Sequence, residues 1–352
     1  MVDELAEYDY TLPEELIARQ PTVRRDDARL MVVDRNSGLV RHHLIRDLPE
    51  LLSEGDRLVF NNSRVLPARL FGQRATTGGR WEGLYLETDA QGAWRLLAST
   101  RGRVRPGETI SVFPAQHPES PDRLDLKLIE RDSEGTWVVE PPPGTDPIVA
   151  LQAFGTIPLP PYIERPLATP DDRERYQTIY ASHFGSVAAP TAGLHFTREL
   201  LDRCQERGID QSYVTLHVGV GTFRPISVTR LADHRMHSEW CEVSGETARQ
   251  CRQTRAAGGR IVSVGTTSTR TLESAALHGD QLVFRGPTNL FISPPWTFRA
   301  VDAQLTNFHL PRSSLLVMIS ALAGRDLIRQ AYAEAIRERY RFYSYGDAML
   351  IL

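Results

Sequence analysis

The stretch IVSVGTTSTRTLESA, residues 261–275, reads as a buried strand, a turn of small residues and a helix in immediate succession. Ile261, Val262 and Val264 make a compact β-branched run. Gly265, Thr266 and Thr267 follow where the chain must turn, and Ser268 is placed to start the helix. A strand that feeds a helix through so tight a turn is the building unit of an α/β sheet.

The flanking segments repeat the alternation. Upstream, Thr197 caps a helix that carries Leu200, Leu201 and Cys204 and stops at Gly208. Residues 212–218 then alternate as a strand, with Val214, Leu216 and Val218 on one face and Tyr213, Thr215 and His217 on the other. Ser244 caps a second helix that ends at Gly258 and Gly259. Downstream, residues 327–339 set Leu327, Ile328, Ala331, Tyr332, Ala335 and Ile336 on one helical stripe. Towards the N-terminus, the apolar run at 29–34 meets the turn cluster Asn36, Ser37 and Gly38, which predicts a hairpin. A short helix at 49–52 and a strand at 58–60 lead into residues 61–64.

From about residue 65 to 140 the texture changes. Short apolar segments are separated by Gly, Pro, Asp and Ser at the spacing of an all-β barrel or sandwich, and Pro141–Pro143, Pro158, Pro160 and Pro161 mark a stiff exit. At 352 residues and 39.6 kDa the chain exceeds what one core usually organises. The expectation is a mixed α/β (α+β) protein in which a large discontinuous domain, residues 1–64 and 156–352, is interrupted by an inserted β-barrel domain at 65–155.

With 41% hydrophobic and 24% charged residues, the composition is that of a globular chain and not of a disordered one. No apolar run approaches the ~18 residues of a membrane span. Asp3, Glu4, Glu7 and Asp9 stand where an export signal would be basic. Cys204, Cys241 and Cys251 form no CxxC pair, which fits a reducing cytoplasm. The net charge of −3 argues against indiscriminate nucleic-acid binding. All but one of the 41 basic residues are Arg, the exception being Lys127; base composition of the genome accounts for such a skew, and so does a need for guanidinium forks that grip phosphate.

Five loops carry candidate chemistry, each beside a plainer reading. At 265–270, backbone N–H groups at a helix start and the hydroxyls of Thr266, Thr267 and Ser268 could hold a carboxylate or phosphate, with Arg270 and Glu273 within reach; an ordinary cap is the alternative. In APTAGLHFT, 189–197, His195 lies just before a positive helix end that biases it towards the neutral form, useful for a base; a packed loop histidine reads equally well. HVGVGTFRP, 217–225, offers a glycine loop between His217 and Arg224, but the third glycine of a dinucleotide fingerprint is missing and Pro225 blocks the helix. His234, His237 and Glu239 could join His217 or His309 around a metal, a reading that ranks below a polar acid–base loop because no HExxH or paired CxxC accompanies them. Asn307, His309 and Arg312 precede the apolar run 315–322 as loop ligands or as caps. The C-terminal RFYSYGDAML reads first as core packing and second as base stacking.

Taken together, YDYTLPEELIARQP (8–21), GDRLVFNNSRVLPARLFG (55–72), GSVAAPTAGLHFT (185–197), VTLHVGVGTFRP (214–225), HRMHSEW (234–240), VGTTSTRTLESA (264–275), VDAQLTNFHLPRSSLL (301–316) and YRFYSYGDAML (340–350) resemble the S-adenosylmethionine:tRNA ribosyltransferase-isomerase family of queuosine biosynthesis. The resemblance spans the chain in family order. It implies a large α/β barrel-like domain interrupted by a smaller β-barrel. It also implies an enzyme that moves ribose from S-adenosylmethionine, as co-substrate and without a metal, onto 7-aminomethyl-7-deazaguanine at the tRNA wobble position. The ribose arrives as an epoxycyclopentane, and adenine and methionine leave.

Such chemistry needs a base to take a proton beside the sulfonium, an acid for adenine and an in-line alkoxide that displaces methionine. His195, His217, His237 and Glu239 are the catalytic candidates. Thr191, Gly193, Gly221, Arg224, Thr266, Thr267, Ser268, Arg270, Glu273, Asn307, His309 and Arg312 are the substrate-binding candidates. Arg101, Arg103 and Arg105 alternate, and on one strand face they would make a tRNA phosphate patch or merely solvate a barrel edge.

The sequence departs from the family pattern most in the insert at 80–143, which has RGRVRPG at 101–107 where a Lys-containing version is typical, and at two further places. Asn62 stands where a carboxylate is common, which weakens any catalytic role there, and SPPWTF at 293–298 lacks a usual glycine. The partners expected are the precursor tRNA and S-adenosylmethionine, with no membrane, for a cytoplasmic monomer. Two rival classes stay open at this point. One is a metal-dependent hydrolase or oxygenase built on His217, His234, His237, Glu239 and His309, and the other is a non-catalytic RNA-binding protein.

Overall fold

The computed structural model describes residues 3–133, 135–165, 167–219, 221, 226 and 228–352. Its central feature is a nine-stranded mixed sheet whose strands lie in the order Phe284–Thr288, Glu239–Val243, Asp210–Leu216, Arg57–Asn61, Ile261–Val264, Ala303–Asn307, Ala348–Ile351, Arg29–Val33 and Val40–Leu44. The four strands from Asp210–Leu216 to Ala303–Asn307 are parallel neighbours. Three of them are buried along their whole length, as parallel strands covered on both faces must be. The predicted hairpin forms, with Arg29–Val33 antiparallel to Val40–Leu44.

Each face of the sheet has its own core. Leu58, Phe60, Val262, Val264 and Leu305 pack with Phe196, Leu200, Leu201 and Cys204 on one side. Val59, Val214 and Ile261 pack with Ala248, Cys251, Leu272 and Ala275 on the other. Two of the helices that supply these side chains begin where a local side chain caps them. Thr197 Oγ1 accepts from Leu200 N at 3.1 Å ahead of Arg198–Glu206, and Ser244 Oγ accepts from Thr247 N at 3.1 Å ahead of Gly245–Ala256.

The third helix starts earlier than its sequence predicts. It runs over Thr266–Leu277 behind Gly265, whose φ of 89° only glycine adopts readily. Ser268 lies inside the first turn, and its hydroxyl donates back to the Val264 carbonyl at 2.8 Å. The last helix, Arg325–Arg337, likewise follows a left-handed glycine, Gly324.

Residues 1–64, 175–183 and 189–352 form one compact unit, and residues 65–174 with 184–188 form a second. The second contains a closed six-stranded barrel in the order Thr136–Glu140, Trp94–Thr100, Arg80–Thr88, Arg69–Arg74, Thr109–Phe113, Leu124–Arg131. Closure leaves no open sheet edge. Leu70, Trp81, Trp94, Leu96, Ile110, Val112, Leu126, Trp137 and Val139 fill its interior at alternate positions. Residues 156–174 cluster with this unit, past the exit at 155 drawn from texture. Arg69 and Thr156 exchange backbone hydrogen bonds at 2.9 and 3.0 Å, which carries the chain onward along the barrel.

Arg101, Arg103 and Arg105 are exposed but do not share a strand face. They occupy the loop between the strands Trp94–Thr100 and Thr109–Phe113. Gly102 and Gly107 turn left-handed there, and Pro106 has no N–H to offer a ladder. Among the described residues, no helix is long and apolar enough to cross a membrane.

Candidate functional site

The four parallel strands end together, so whatever follows each of them is brought to one edge of the sheet. In open α/β sheets the carboxyl edge is where ligands bind, because loops there face a crevice lined by helix N-termini. Here the residues at those ends are Leu216 to Gly219, Asn61, Gly265 to Thr267, and Asn307. Three intervals of about 4.8 Å between neighbouring strands give the edge a length of roughly 14 Å.

Hydrogen bonds cross-link the strand ends. Asn61 Nδ2 donates to the Leu216 carbonyl at 3.0 Å and to Thr267 Oγ1 at 3.1 Å, while its Oδ1 accepts from Leu216 N and Ser63 N. Asn61 is fully buried and ties three strand ends together. The signal for it in the sequence is a polar amide closing the apolar strand within the stretch 55–72. Its neighbour Asn62 accepts from Thr215 Oγ1 at 2.7 Å, a structural bond.

His195 comes to this edge from a separate segment. The 3-10 helix Thr191–His195 packs beside the end of Ala303–Asn307, and His195 Nε2 stands 3.2 Å from Asn307 Nδ2. Asn307 Nδ2 donates also to the Tyr343 carbonyl at 3.0 Å, which fixes the amide so that Nε2 is the acceptor; Asn307 Oδ1 is buried without a protein partner. Burial foremost, and then the positive charge of Arg25, lowers the His195 pKa to about 4, so the ring is neutral at pH 7. The expectation of a neutral ring thus holds for a cause other than a helix end. Gly193 is needed for close packing, because a Cβ there would stand 2.1 Å from the Tyr180 hydroxyl. Thr191 is half-buried at the start of the same 3-10 helix.

At the other end, His217 stacks on Trp240 with ring centroids 5.2 Å apart and planes inclined by 19°. Its Nδ1 is buried without a hydrogen-bond partner, and burial followed by the charge of His183 lowers its pKa. Glu239 begins the antiparallel strand beside it. One carboxylate oxygen accepts from Gly219 N at 2.8 Å, and the other is bonded to Arg270 Nη1. Arg270 Nε also donates to the Leu290 carbonyl at 3.2 Å, whereas its Nη2 is buried without a partner. A carboxylate so occupied holds a loop in place and is not a free base. His237 is exposed, and its ring lies over Gly221, where a Cβ would stand 2.1 Å from it. Arg224, with the rest of 222–225, lies outside the described residues.

Several remaining candidates are committed elsewhere. Glu273 is fully buried and accepts the main-chain N–H groups of Arg299, Ala300 and Val301 together with Trp296 Nε1, so it organises the loop after the SPPWTF segment. His309 Nε2 is 2.8 Å from Thr306 Oγ1, and burial lowers its pKa to about 3. Arg312 pairs with Asp3 at 2.9 Å and Asp9 at 3.5 Å, anchoring the N-terminal segment. His234 packs edge-on against Phe291, with Nε2 3.3 Å from Met236 Sδ. Among the described residues, no three His, Cys, Asp or Glu side chains are grouped to hold a metal ion.

The edge therefore collects His195, Asn307, Asn61, the Thr266–Thr267 helix start, His217, Gly219 and the Glu239–Arg270 pair. Neutral imidazoles, an amide acceptor and the uncapped start of a 12-residue helix suit a polar ligand that carries an acidic group and undergoes proton transfer.

Comparison with known proteins gives a consistent result over the full chain. The profile of the family described as queuosine biosynthesis protein matches residues 5–351. A protein of Symbiobacterium thermophilum named S-adenosylmethionine:tRNA ribosyltransferase-isomerase is 49% identical over 353 residues, covering 99% of each chain. One of the same name from Pelobacter propionicus is 49% identical over 351 residues, 98% of each. A crystal structure of S-adenosylmethionine tRNA ribosyltransferase from Thermotoga maritima superposes with a TM-score of 0.56 at 36% identity, covering 98% of this chain and all of that one.

Proposed function

The chain belongs to the queuosine biosynthesis protein family, and we propose that it transfers and isomerises the ribosyl group of S-adenosylmethionine onto 7-aminomethyl-7-deazaguanine at the wobble position of tRNA. The products are epoxyqueuosine-tRNA, adenine and methionine. The observation that carries the reading is full-length similarity to proteins of that name, joined to the gathering of His195, His217, Asn307 and the Thr266–Thr267 helix start on one sheet edge.

In this reading a neutral imidazole removes the acidified proton on the ribose carbon next to the sulfonium. A protonated group passes a proton to adenine as the glycosidic bond breaks. The ring C–O bond opens to leave a carbonyl on the anomeric carbon while the aminomethyl nitrogen, giving up a proton, bonds to the carbon released. The deprotonated carbon adds to that carbonyl, closing the carbocycle, and the alkoxide so formed closes the epoxide as the carbon–sulfur bond to methionine breaks. His195 and His217 are the groups suited to the proton transfers, with His237 at the mouth of the glycine loop. Glu239 and Arg270 position that loop. The helix start at Thr266–Ser268 suits the methionine carboxylate, and the unpartnered Asn307 Oδ1 suits an N–H or O–H donor of the nucleoside. The arginine loop at Arg101, Arg103 and Arg105 would meet tRNA phosphates. No metal is assigned a role, and the protein is read as a cytoplasmic monomer, with its buried, unpaired cysteines in keeping with a reducing compartment.

Two of the five ligands of the metal-dependent alternative are engaged by neighbouring side chains, Glu239 by Arg270 and His309 Nε2 by Thr306. Incubation with S-adenosylmethionine and tRNA bearing the deazaguanine precursor tests the reading. Adenine and methionine should appear together with modified tRNA, and a His195→Ala variant should turn over about 100-fold more slowly. Release of S-adenosylhomocysteine, or tRNA binding without turnover, would reject it.

A further inference from the structure

The segment 20–25 of the large unit is fastened by guanidinium groups from distant parts of the chain. Arg341 Nη2 donates to the Gln20 carbonyl. Arg175 bridges two carbonyls, with Nη2 2.5 Å from that of Thr22 and Nη1 3.0 Å from that of Val23. Arg25, within the segment, donates to the Leu194 carbonyl at 3.0 Å. A carbonyl satisfies a guanidinium N–H without supplying a counter-charge, so Arg175 is held rigidly with its positive charge, while Arg341 acts also on the carboxylate of Asp347. Arg24 differs, because Asp26 stands 3.2 Å from it as an ion-pair partner. The nearby Asp347 is buried and accepts the main-chain N–H groups of Arg29 and Arg341.

Arg25 and Arg175 line a recess with Pro21, Thr22, His195 and Tyr345, and Arg341 ties Gln20 beside it. At the crest of the segment, Val23 is 93% exposed, an apolar side chain standing in solvent beside fixed positive charge. A polynucleotide suits such a surface: phosphates answer the guanidinium groups, and an unstacked base can rest on an apolar side chain.

We propose that the arginine-framed recess at residues 20–25, Arg175 and Arg341 is a docking site for the phosphate backbone of a single-stranded RNA loop, which presents its nucleotide to the mouth above His195. The inference rests on the function proposed above, since it names where that substrate's backbone lies.

Binding of unmodified tRNA transcript is measured for the full chain and for two variants across a salt series. Val23→Asp changes an exposed side chain that supports no packing, and Arg175→Gln keeps an amide donor for a carbonyl while removing the charge. Each should weaken tRNA binding about 5- to 10-fold at moderate salt. Arg175→Gln should also make the salt dependence shallower by about one counterion. Affinity for S-adenosylmethionine, measured by calorimetry, should stay within twofold of the parent for both. If the parent modifies tRNA while both variants bind it within twofold of the parent and with an unchanged salt slope, this inference falls and the proposed function stands. If the parent binds no tRNA, both fall.

Discussion

The carboxylate of Glu239 and the guanidinium of Arg270 form an ion pair in which each side chain is only 3% exposed. Through it the glycine loop at Gly219 and the carbonyl of Leu290 are held to the helix Thr266–Leu277. Removing one partner of such a pair strands a charge away from water, which costs about 3–5 kcal/mol. Arg270→Ala should therefore lower the free energy of unfolding by that amount in urea titration, and turnover should fall about 100-fold as the loop loosens. A loss of stability under about 1 kcal/mol would show that the pair does not organise the loop.

Burial of His195 and His309 makes stability depend on pH in a stated direction. Both folded pKa values lie below the ordinary value of 6.5, at about 4 and about 3. Between those values and 6.5 the unfolded chain binds protons that the folded chain refuses, so stability is complete above pH 6.5 and falls as the solution is acidified towards 4. Each ring contributes about 1.4 kcal/mol per pH unit in that window. Urea unfolding between pH 7.5 and 5 should show the decline, and His309→Gln should remove one ring's share of the slope. A slope identical in parent and variant would contradict the assignment.

Close packing of Gly193 against Tyr180 predicts a repairable clash. Gly193→Ala drives a methyl into the Tyr180 hydroxyl and, at 2.8 Å, Thr178 Cγ2. It should cost about 1–3 kcal/mol. Adding Tyr180→Phe deletes a hydroxyl that has no hydrogen-bond partner and should restore part of the loss. Thermal unfolding of the single and double variants checks this, and an equally unstable double variant would place the strain elsewhere.

The exposed arginine loop of the barrel unit should act through charge alone. Replacing Arg101, Arg103 and Arg105 together by Ala is expected to weaken tRNA binding and to flatten the log–log salt dependence by about three counterions, with no change in thermal stability. Unchanged salt dependence would remove the loop from the RNA contact surface.

Much of the fold could be read from local signals. The Thr197 and Ser244 caps, the hairpin turn and the buried strand at 261–264 depend on residues a few positions apart, and the structure contains them. Helix starts at Gly265 and Gly324 escaped because the capping residue has no side chain to announce itself. Alternation misled at 101–105, where backbone-turning Gly102 and Gly107 overrule the pattern.

For the site, sequence could nominate His195, His217 and Asn307 but not their grouping, which follows from the order of parallel strands. Nor could it reveal that Glu239 faces Arg270 or that Glu273 holds the backbone at 299–301, since the first pairing joins side chains 31 positions apart and the second a side chain to main-chain N–H groups 26 to 28 positions away. Asn61 and Arg175 matter through main-chain carbonyls of remote segments, and carbonyls leave no trace in residue type.

Difference density for S-adenosylmethionine in crystals of the protein is the most direct measurement. It should lie along the carboxyl ends of Arg57–Asn61, Ile261–Val264 and Ala303–Asn307, with a polar atom of the nucleoside within hydrogen-bond distance of Asn307 and the carboxylate at the Thr266–Thr267 helix start. Density lodged on another face of the sheet or in the barrel unit, with that edge empty, would contradict the account.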